Sequence, residues 1–309
     1  MSAGIYSSLA DLVALQVHAR NPGLSGRQPP TSLLAGRSAS RLRGRGLLFA
    51  EVRLYRPGDD VRRIDWRTSA RRGEAHTRVF AEERERPIHL VVDQRLGMFF
   101  GSVAQMKSVT AAEIAALIAW QGLASGDRIG ATVFNDAGSE TIAPHRQRAT
   151  VLRLLGSLVR HNHALGVNRG IVPAPQQLDQ ALADILRHAT HDALIVLISD
   201  FQGISDQTRE FVRRLARHND VVAILVHDPT MQLPTHLPNS VLSDGCDHAS
   251  INLSTGDSGD VLRKLVAARS AFVDRLRREL DIPCLAIDTG GDVPRQLARA
   301  LGHTRRAPP

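Results

Sequence analysis

From Ile88 onward the chain alternates apolar runs of strand length with helical stretches of ten or more residues. A parallel sheet requires that alternation, because the crossovers between its strands are helices that pack back onto its faces. Residues 88–92 read as a buried strand closed by Asp93, 106–123 as a helix whose apolar face includes Ile114, Leu117, Ile118 and Leu123, and 128–134 as the next strand. Residues 135–138 carry turn chemistry, and 140–142 form a short partner strand able to pair back as a hairpin. Helices follow over 147–158 and 176–188. The most continuous apolar run, 193–199, predicts a central strand closed by Asp200, and a helix over about 205–218 precedes a second central strand at 221–226. A proline-rich loop to Pro238, an edge strand at 250–253, a long helix over 259–280, a strand at 284–287 and a terminal helix at 293–301 complete the pattern.

Before Ile88 the chain has a different character. Residues 7–19 predict a short amphipathic helix capped by Ser7 or Ser8 and ended by Asn21-Pro22-Gly23. Between Asp11 and Glu51 there is no acidic residue, while Arg20, Arg27, Arg37, Arg41, Arg43 and Arg45 sit among Gly, Ser and Pro, the composition of a flexible basic arm. The expected organisation is therefore an N-terminal helix and arm over 1–46, a ribbon over 47–87 and an α/β domain over 88–309.

Composition narrows the function classes. With 43% hydrophobic and 23% charged residues the chain is of globular type rather than collagenous, coiled-coil or wholly disordered. The net charge of +8 is almost entirely arginine, since only Lys107 and Lys264 are lysines, and most of the excess falls in the first ninety residues. Two cysteines, Cys246 and Cys284, make no disulfide framework and lack metal-ligand spacing, which fits a reducing, cytoplasmic setting. No run approaches the ~18–20 apolar residues of a membrane span. Neither lysine stands in a Gly-Lys-Ser/Thr phosphate loop, and no zinc-protease or nucleophile-elbow motif occurs, so the common motif-bearing enzyme classes are disfavoured. The histidine pairs His161/His163 and His188/His191 lack a third ligand nearby and read as ordinary surface residues.

Two carboxylates stand out by position. Asp93 and Asp200 each follow an apolar strand at its carboxyl end, the edge of an open α/β sheet where ligands bind. Together they could hold a hard cation such as Mg²⁺ with hydroxyl and water ligands, or each could cap the segment that follows it.

The densest constellation is Tyr55-Arg56-Pro57-Gly58-Asp59-Asp60-Val61-Arg62-Arg63-Ile64-Asp65-Trp66, followed by Ser69-Ala70-Arg71. Proline, glycine and aspartate there are turn residues, and arginine beside aspartate suits planar bidentate pairing. Tyr55 and Trp66 are large side chains in a chain with 4% aromatics, so the segment is expected to contribute more to stability than to recognition.

This long signature, with a strand ending in Asp93 some twenty residues later and Met98 and Phe100-Gly101 behind it, closely resembles the DUF58 family, over about residues 36–230 and more loosely beyond. The resemblance implies a Rossmann-like, mostly parallel sheet flanked by helices, similar to von Willebrand factor A domains, preceded by a signature β-ribbon. It implies an ion site built from Asp-x-Ser-x-Ser, a middle-loop threonine and a late aspartate. Asp93 and Asp200 match the two aspartates, but the serine positions are Arg95 and Gly97, and the threonine has no counterpart in 167–171. The implied metal site is therefore degenerate, with Mg²⁺ or Mn²⁺ expected to bind weakly or not at all and no other cofactor. The resemblance further implies a non-enzymatic adaptor or chaperone-like protein that works with a MoxR-type AAA+ ATPase on an unknown client protein; the expected binding face is the carboxyl edge of the sheet near Asp93 and Asp200, with the signature residues and Arg95 as partner-binding candidates. The alternative reading of the residues is a nucleic-acid-binding protein using the arginine arm. It is disfavoured because the arm has no aromatics for base stacking. A metal-dependent hydrolase using Asp93 and Asp200 is the least favoured class.

Overall fold

The computed structural model describes residues 4–19, 47–82, 87–166, 169–188, 191–229, 240–243, 248–251 and 270–302. The arginine arm, the 230–238 loop, the candidate threonine region at 167–168 and the first half of the helix expected over 259–280 lie outside them. The chain divides into two compact units, one of Met1–Gly36 with Arg86–Pro309 and one of Arg37–Glu85. The N-terminal helix, grouped above with the arm, thus belongs to the larger unit. It is broken into α1 (Leu9–Ala14) and α2 (Gln16–Ala19), and Ser8 caps α1 by accepting from Asp11 N.

The smaller unit is a two-stranded ribbon. Strands β1 (Leu47–Leu54) and β2 (His76–Glu82) pair antiparallel, Leu54 opposite His76, with a register shift between Phe49 and Glu51. Their connection contains a turn at Pro57-Gly58, a 3₁₀ turn over Val61–Arg63, and α3 (Trp66–Arg72). Gly58 has φ +103°, a left-handed conformation that L side chains resist.

The larger unit is built on a six-stranded sheet. In chain order it contains β3 (Pro87–Asp93), α4 (Lys107–Ser125), β4 (Arg128–Asn135), β5 (Gly138–His145), α5 (Arg148–Ala164), α6 (Gln177–His188), β6 (Leu194–Ser199), α7 (Asp206–Ala216) and β7 (Asp220–His227). There follow β8 (Ser240–Ser243) and β9 (His248–Ile251), a helix over residues 270–279 (α8), β10 (Cys284–Asp288) and α9 (Val293–Gly302). The sheet order is β10-β7-β6-β3-β4-β5, parallel throughout except for β5, which runs antiparallel at one edge. This is the mostly parallel sheet that the alternation predicted, and the Rossmann-like, helix-flanked arrangement that the resemblance implied.

Strand periodicity divides the core between the two faces. Leu90, Val92, Val196 and Ile198 join one apolar cluster with α4, α5 and α9, and Val91, Ile195 and Leu197 join the other with α6, α7 and Phe272 and Leu276 of α8. The central strands are continuous apolar runs because both of their faces are covered. Helix α4 carries Ala111, Ala112, Ala115, Ala116 and Ala119, all fully buried, so it lies deep against the sheet.

Three elements differ from expectation. Strand β5 is longer than the 140–142 segment because it is an edge strand with mostly half-exposed or exposed side chains, whose polar positions mask it in the sequence. Helix α5 runs to Ala164 rather than ending at 158, since its last turn anchors the N-terminal segment. There Asn162 Oδ1 accepts from Ser7 N at 2.8 Å and His163 Nε2 lies 2.8 Å from Ser7 O. Trp120 Nε1 donates to Leu12 O at 3.0 Å in the same contact. Finally, β9 pairs with β8 in a separate two-stranded sheet rather than extending the main one.

Candidate functional site

The strand order reverses between β3 and β6: the chain winds outward from β3 through β4 and β5 on one side, and from β6 through β7 to β10 on the other. The loops after β3 and β6 therefore diverge from a shared crevice at their carboxyl ends. Asp93 ends β3 and Asp200 follows β6, so the topology brings the two predicted carboxylates to the same place.

Both are buried and both already hold a cation of the protein itself. The Asp93 carboxylate accepts from Arg95 N (2.9 Å), Arg95 Nε (3.0 and 3.2 Å), Arg95 Nη2 (2.6 Å) and Ser199 Oγ (2.6 Å). Asp200 accepts from Lys107 Nζ at 2.5 Å through Oδ2 and from Gln202 N at 3.0 Å through Oδ1. The Arg95 guanidinium bonds to more than one loop of this crevice: beyond Asp93 it donates to Pro175 O (3.0 Å) and Gln202 O (3.2 Å), and it lies 5.6 Å from the centre of the Phe134 ring. Burial alone would raise the Asp200 carboxyl, yet Lys107 and Arg95 beside it hold it below the ordinary carboxylate range. Desolvation likewise works against the charged guanidinium of Arg95, but Asp93, with Asp200 and Asp136 further off, raises its affinity for the proton above that of a free arginine.

Local sequence explains how these groups meet. Arg95 follows Asp93 by two residues, which lets its backbone N–H and side chain grip the same carboxylate. Phe201 adopts a left-handed backbone (φ +53°) and its N–H donates to Ser199 Oγ at 2.9 Å, so the chain turns sharply enough after β6 to face Ser199, Asp200 and Gln202 into one crevice. Further carboxylates tie neighbouring loops along this edge. Asp136 accepts from Leu96 N (2.6 Å) and Ala174 N (2.8 Å), and Asp228 from Ser102 N (2.7 Å), Ser102 Oγ (2.5 Å) and Thr289 Oγ1 (2.8 Å).

The residues of the expected ion site do not fit a divalent ion. A hard cation needs open carboxylate and hydroxyl oxygens, whereas both carboxylates are closed by protein donors. A Cβ added at Gly97 would approach Gln202 Oε1 to 3.0 Å, so the second hydroxyl position is crowded as well. Among the described residues no cluster of three His, Cys, Asp or Glu side chains has metal-binding geometry. What this arrangement does chemically is join the loops after β3 and β6 to the start of α4 by charge-assisted hydrogen bonds.

The other sequence-identified residues lie in the ribbon unit. Asp59 receives a bidentate pair from Arg53 (2.8 and 2.7 Å) and Arg56 N (2.9 Å), and these hydrogen bonds hold its carboxyl below the ordinary range. Asp60 caps the 3₁₀ turn through Arg62 N. Asp65 caps α3 through Thr68 N (3.0 Å) and binds Arg78 Nε (2.9 Å), which likewise lowers its carboxyl. Ser69 Oγ accepts from His76 N at 2.8 Å and donates to Asp65 O at 2.8 Å, fastening the helix to β2. Tyr55 is half-buried, with its N–H on Ala75 O. Arg56, Pro57, Gly58, Arg62, Ala70 and Arg71 are exposed, and Trp66 is 72% exposed. The stabilising role expected of Trp66 therefore does not suit it: it stands at the start of a helix with its ring in solvent rather than in a core.

Sequence reasoning missed Lys107. Its signal is that a chain with 39 basic residues keeps only two lysines, one of them at the first position of the helix after the Met98 to Gly101 loop.

Comparison with known proteins agrees with the signature. Residues 51–273 match the model of "Protein of unknown function DUF58". The uncharacterised proteins Rv1480 of Mycobacterium tuberculosis and Mb1516 of Mycobacterium bovis are each 31% identical over 290 residues, covering 92% of this chain and 87% of theirs. Among solved structures, a von Willebrand factor type A protein from Catenulispora acidiphila is similar at 12% identity and a TM-score of 0.35, over 74% of this chain and 44% of that one. With its signature in the ribbon and its family match running through most of the α/β body, this chain belongs to the DUF58 family.

Proposed function

We propose that this chain is a non-enzymatic, cytoplasmic adaptor that works with a separate MoxR-type AAA+ ATPase in assembling or activating other protein complexes, and that the ribbon is its principal recognition face. The observation that carries this reading is the exposure of Trp66 within the signature. Along the same short segment Arg62, Arg67, Arg71 and Arg72 are exposed and form no ion pair or side-chain hydrogen bond among the described residues. Exposed tryptophan flanked by arginine is the composition of binding hot spots, in which Trp and Arg are enriched. The crevice supports the non-enzymatic half of the reading: Asp93 and Asp200 are buried and neutralised, so neither is offered to a substrate as base or nucleophile. Among the described residues no helix is long and apolar enough to cross a membrane.

The test is direct binding between the purified full chain and the MoxR-type ATPase encoded in the same genome, with ADP, ATP or no nucleotide. Nucleotide-dependent association, with a change in the ATPase rate, is the expected result. Absence of association in all three states, or ATP turnover by this chain alone that follows its point mutations, would overturn the reading.

A further inference from the structure

The crevice between β3 and β6 places two aspartates where a divalent ion would be expected and then fills the place with positive charge drawn from the chain. Asp93 and Asp200 carry two negative charges, and Arg95 and Lys107 carry two positive ones, all four side chains being almost wholly buried. The cluster is neutral as it stands. Adding Mg²⁺ would set four positive charges against two carboxylates in a site that water cannot screen. Hydrogen bonds accompany the charge balance: every carboxylate oxygen of the pair accepts at least one, and Arg95 divides its hydrogen bonds among Asp93, Pro175 O and Gln202 O. The groups come from four separate segments, those around residues 93–95, 107, 175 and 199–202, so the cluster ties together the loops that form the carboxyl edge of the sheet.

We propose that Arg95 and Lys107 are resident cations that take the place of a divalent ion, making the carboxyl edge of this sheet a permanently closed, metal-independent clasp. The edge is then held in one geometry by the chain itself, and any partner contact made along it is indifferent to divalent ions and chelators. This inference is independent of the adaptor reading, since it concerns the occupancy of the crevice and not the identity of any partner.

The experiment follows thermal unfolding and Mn²⁺ titration calorimetry of the full chain. For wild type, excess EDTA and excess Mn²⁺ should give the same melting temperature, and calorimetry should show no saturable binding. The double variant Arg95→Ser/Lys107→Met restores a hydroxyl and removes both cations. It should melt well below wild type in EDTA and regain part of the loss as Mn²⁺ is added, following mass action, with the gain abolished by a further Asp93→Asn change. Saturable one-to-one binding of Mn²⁺ to wild type, lost in Asp93→Asn, would overturn the proposal. So would a folded double variant on which Mn²⁺ has no effect. If the double variant does not fold in either condition, the wild-type titration decides alone.

Discussion

The sheet edge and the ribbon are made from the same chemistry, arginine beside aspartate, and they differ in what surrounds it. At the edge, the side chains of Arg95 and Asp93 are 7% and 0% exposed and those of Lys107 and Asp200 3% and 3%. In the ribbon, Arg53 and Asp59 are 35% and 21% exposed, and Arg78 and Asp65 50% and 12%. Burial turns the first set into groups that cannot be separated without leaving a charge in apolar surroundings, whereas water shares the second set and screens it. Charge pairing at the edge therefore fixes structure. In the ribbon the paired aspartates cap and brace the turns, while Arg62, Arg67, Arg71 and Arg72 are exposed with no ion-pair partner among the described residues.

The sharpest way to break this contrast is to remove one buried cation. Lys107→Met leaves Asp200 buried without its partner and should destabilise the larger unit by about 3–5 kcal/mol, seen as a large drop in denaturation midpoint. Lys107→Met/Asp200→Asn should recover a substantial part of that loss. An unchanged midpoint for the single variant would mean that the crevice is open to water and that the two regions do not differ as described.

Acid provides a second probe. Burial pushes His89, whose ring lies 2.9 Å from Thr132 Oγ1, down to about 4. The folded chain thus resists protonation that the unfolded chain accepts below its ordinary value near 6.5. Stability contributed by the neutral ring is present above that pH and is lost as pH falls toward 4, by at most about 3 kcal/mol. His89→Gln should flatten this part of the stability profile; an unaltered acid limb would show that the histidine is solvated.

Much of this architecture is legible in sequence, and the exceptions have physical causes. Asp93 and Asp200 are visible because the apolar runs before them are covered on both faces. Arg95 is visible because it stands two residues after Asp93. Lys107 is not, since its partner lies 93 positions away and only the strand order brings them together. The full length of β5 is hidden by its exposed edge, and the last turn of α5 by a contact with the N-terminal segment that no local pattern encodes. Trp66 misleads for a different reason: scarcity of aromatics says nothing about which of them is buried.

A smaller effect concerns Cys284, whose thiol burial pushes up to about 11. It should react with a disulfide reagent far more slowly in the folded chain than after denaturation. Equal rates would show that β10 at the far edge of the sheet opens readily, which would blur the distinction between a closed body and an accessible ribbon.

One paired measurement on Trp66→Ala tests the proposed recognition role most directly: the melting temperature of the full chain and its affinity for the proposed MoxR-type ATPase. Substitution at an exposed position should change stability by no more than about 0.5 kcal/mol, leaving the melting curve in place while binding is lost. A variant that melts far below wild type, or one that melts like wild type and binds the partner equally well, would contradict it.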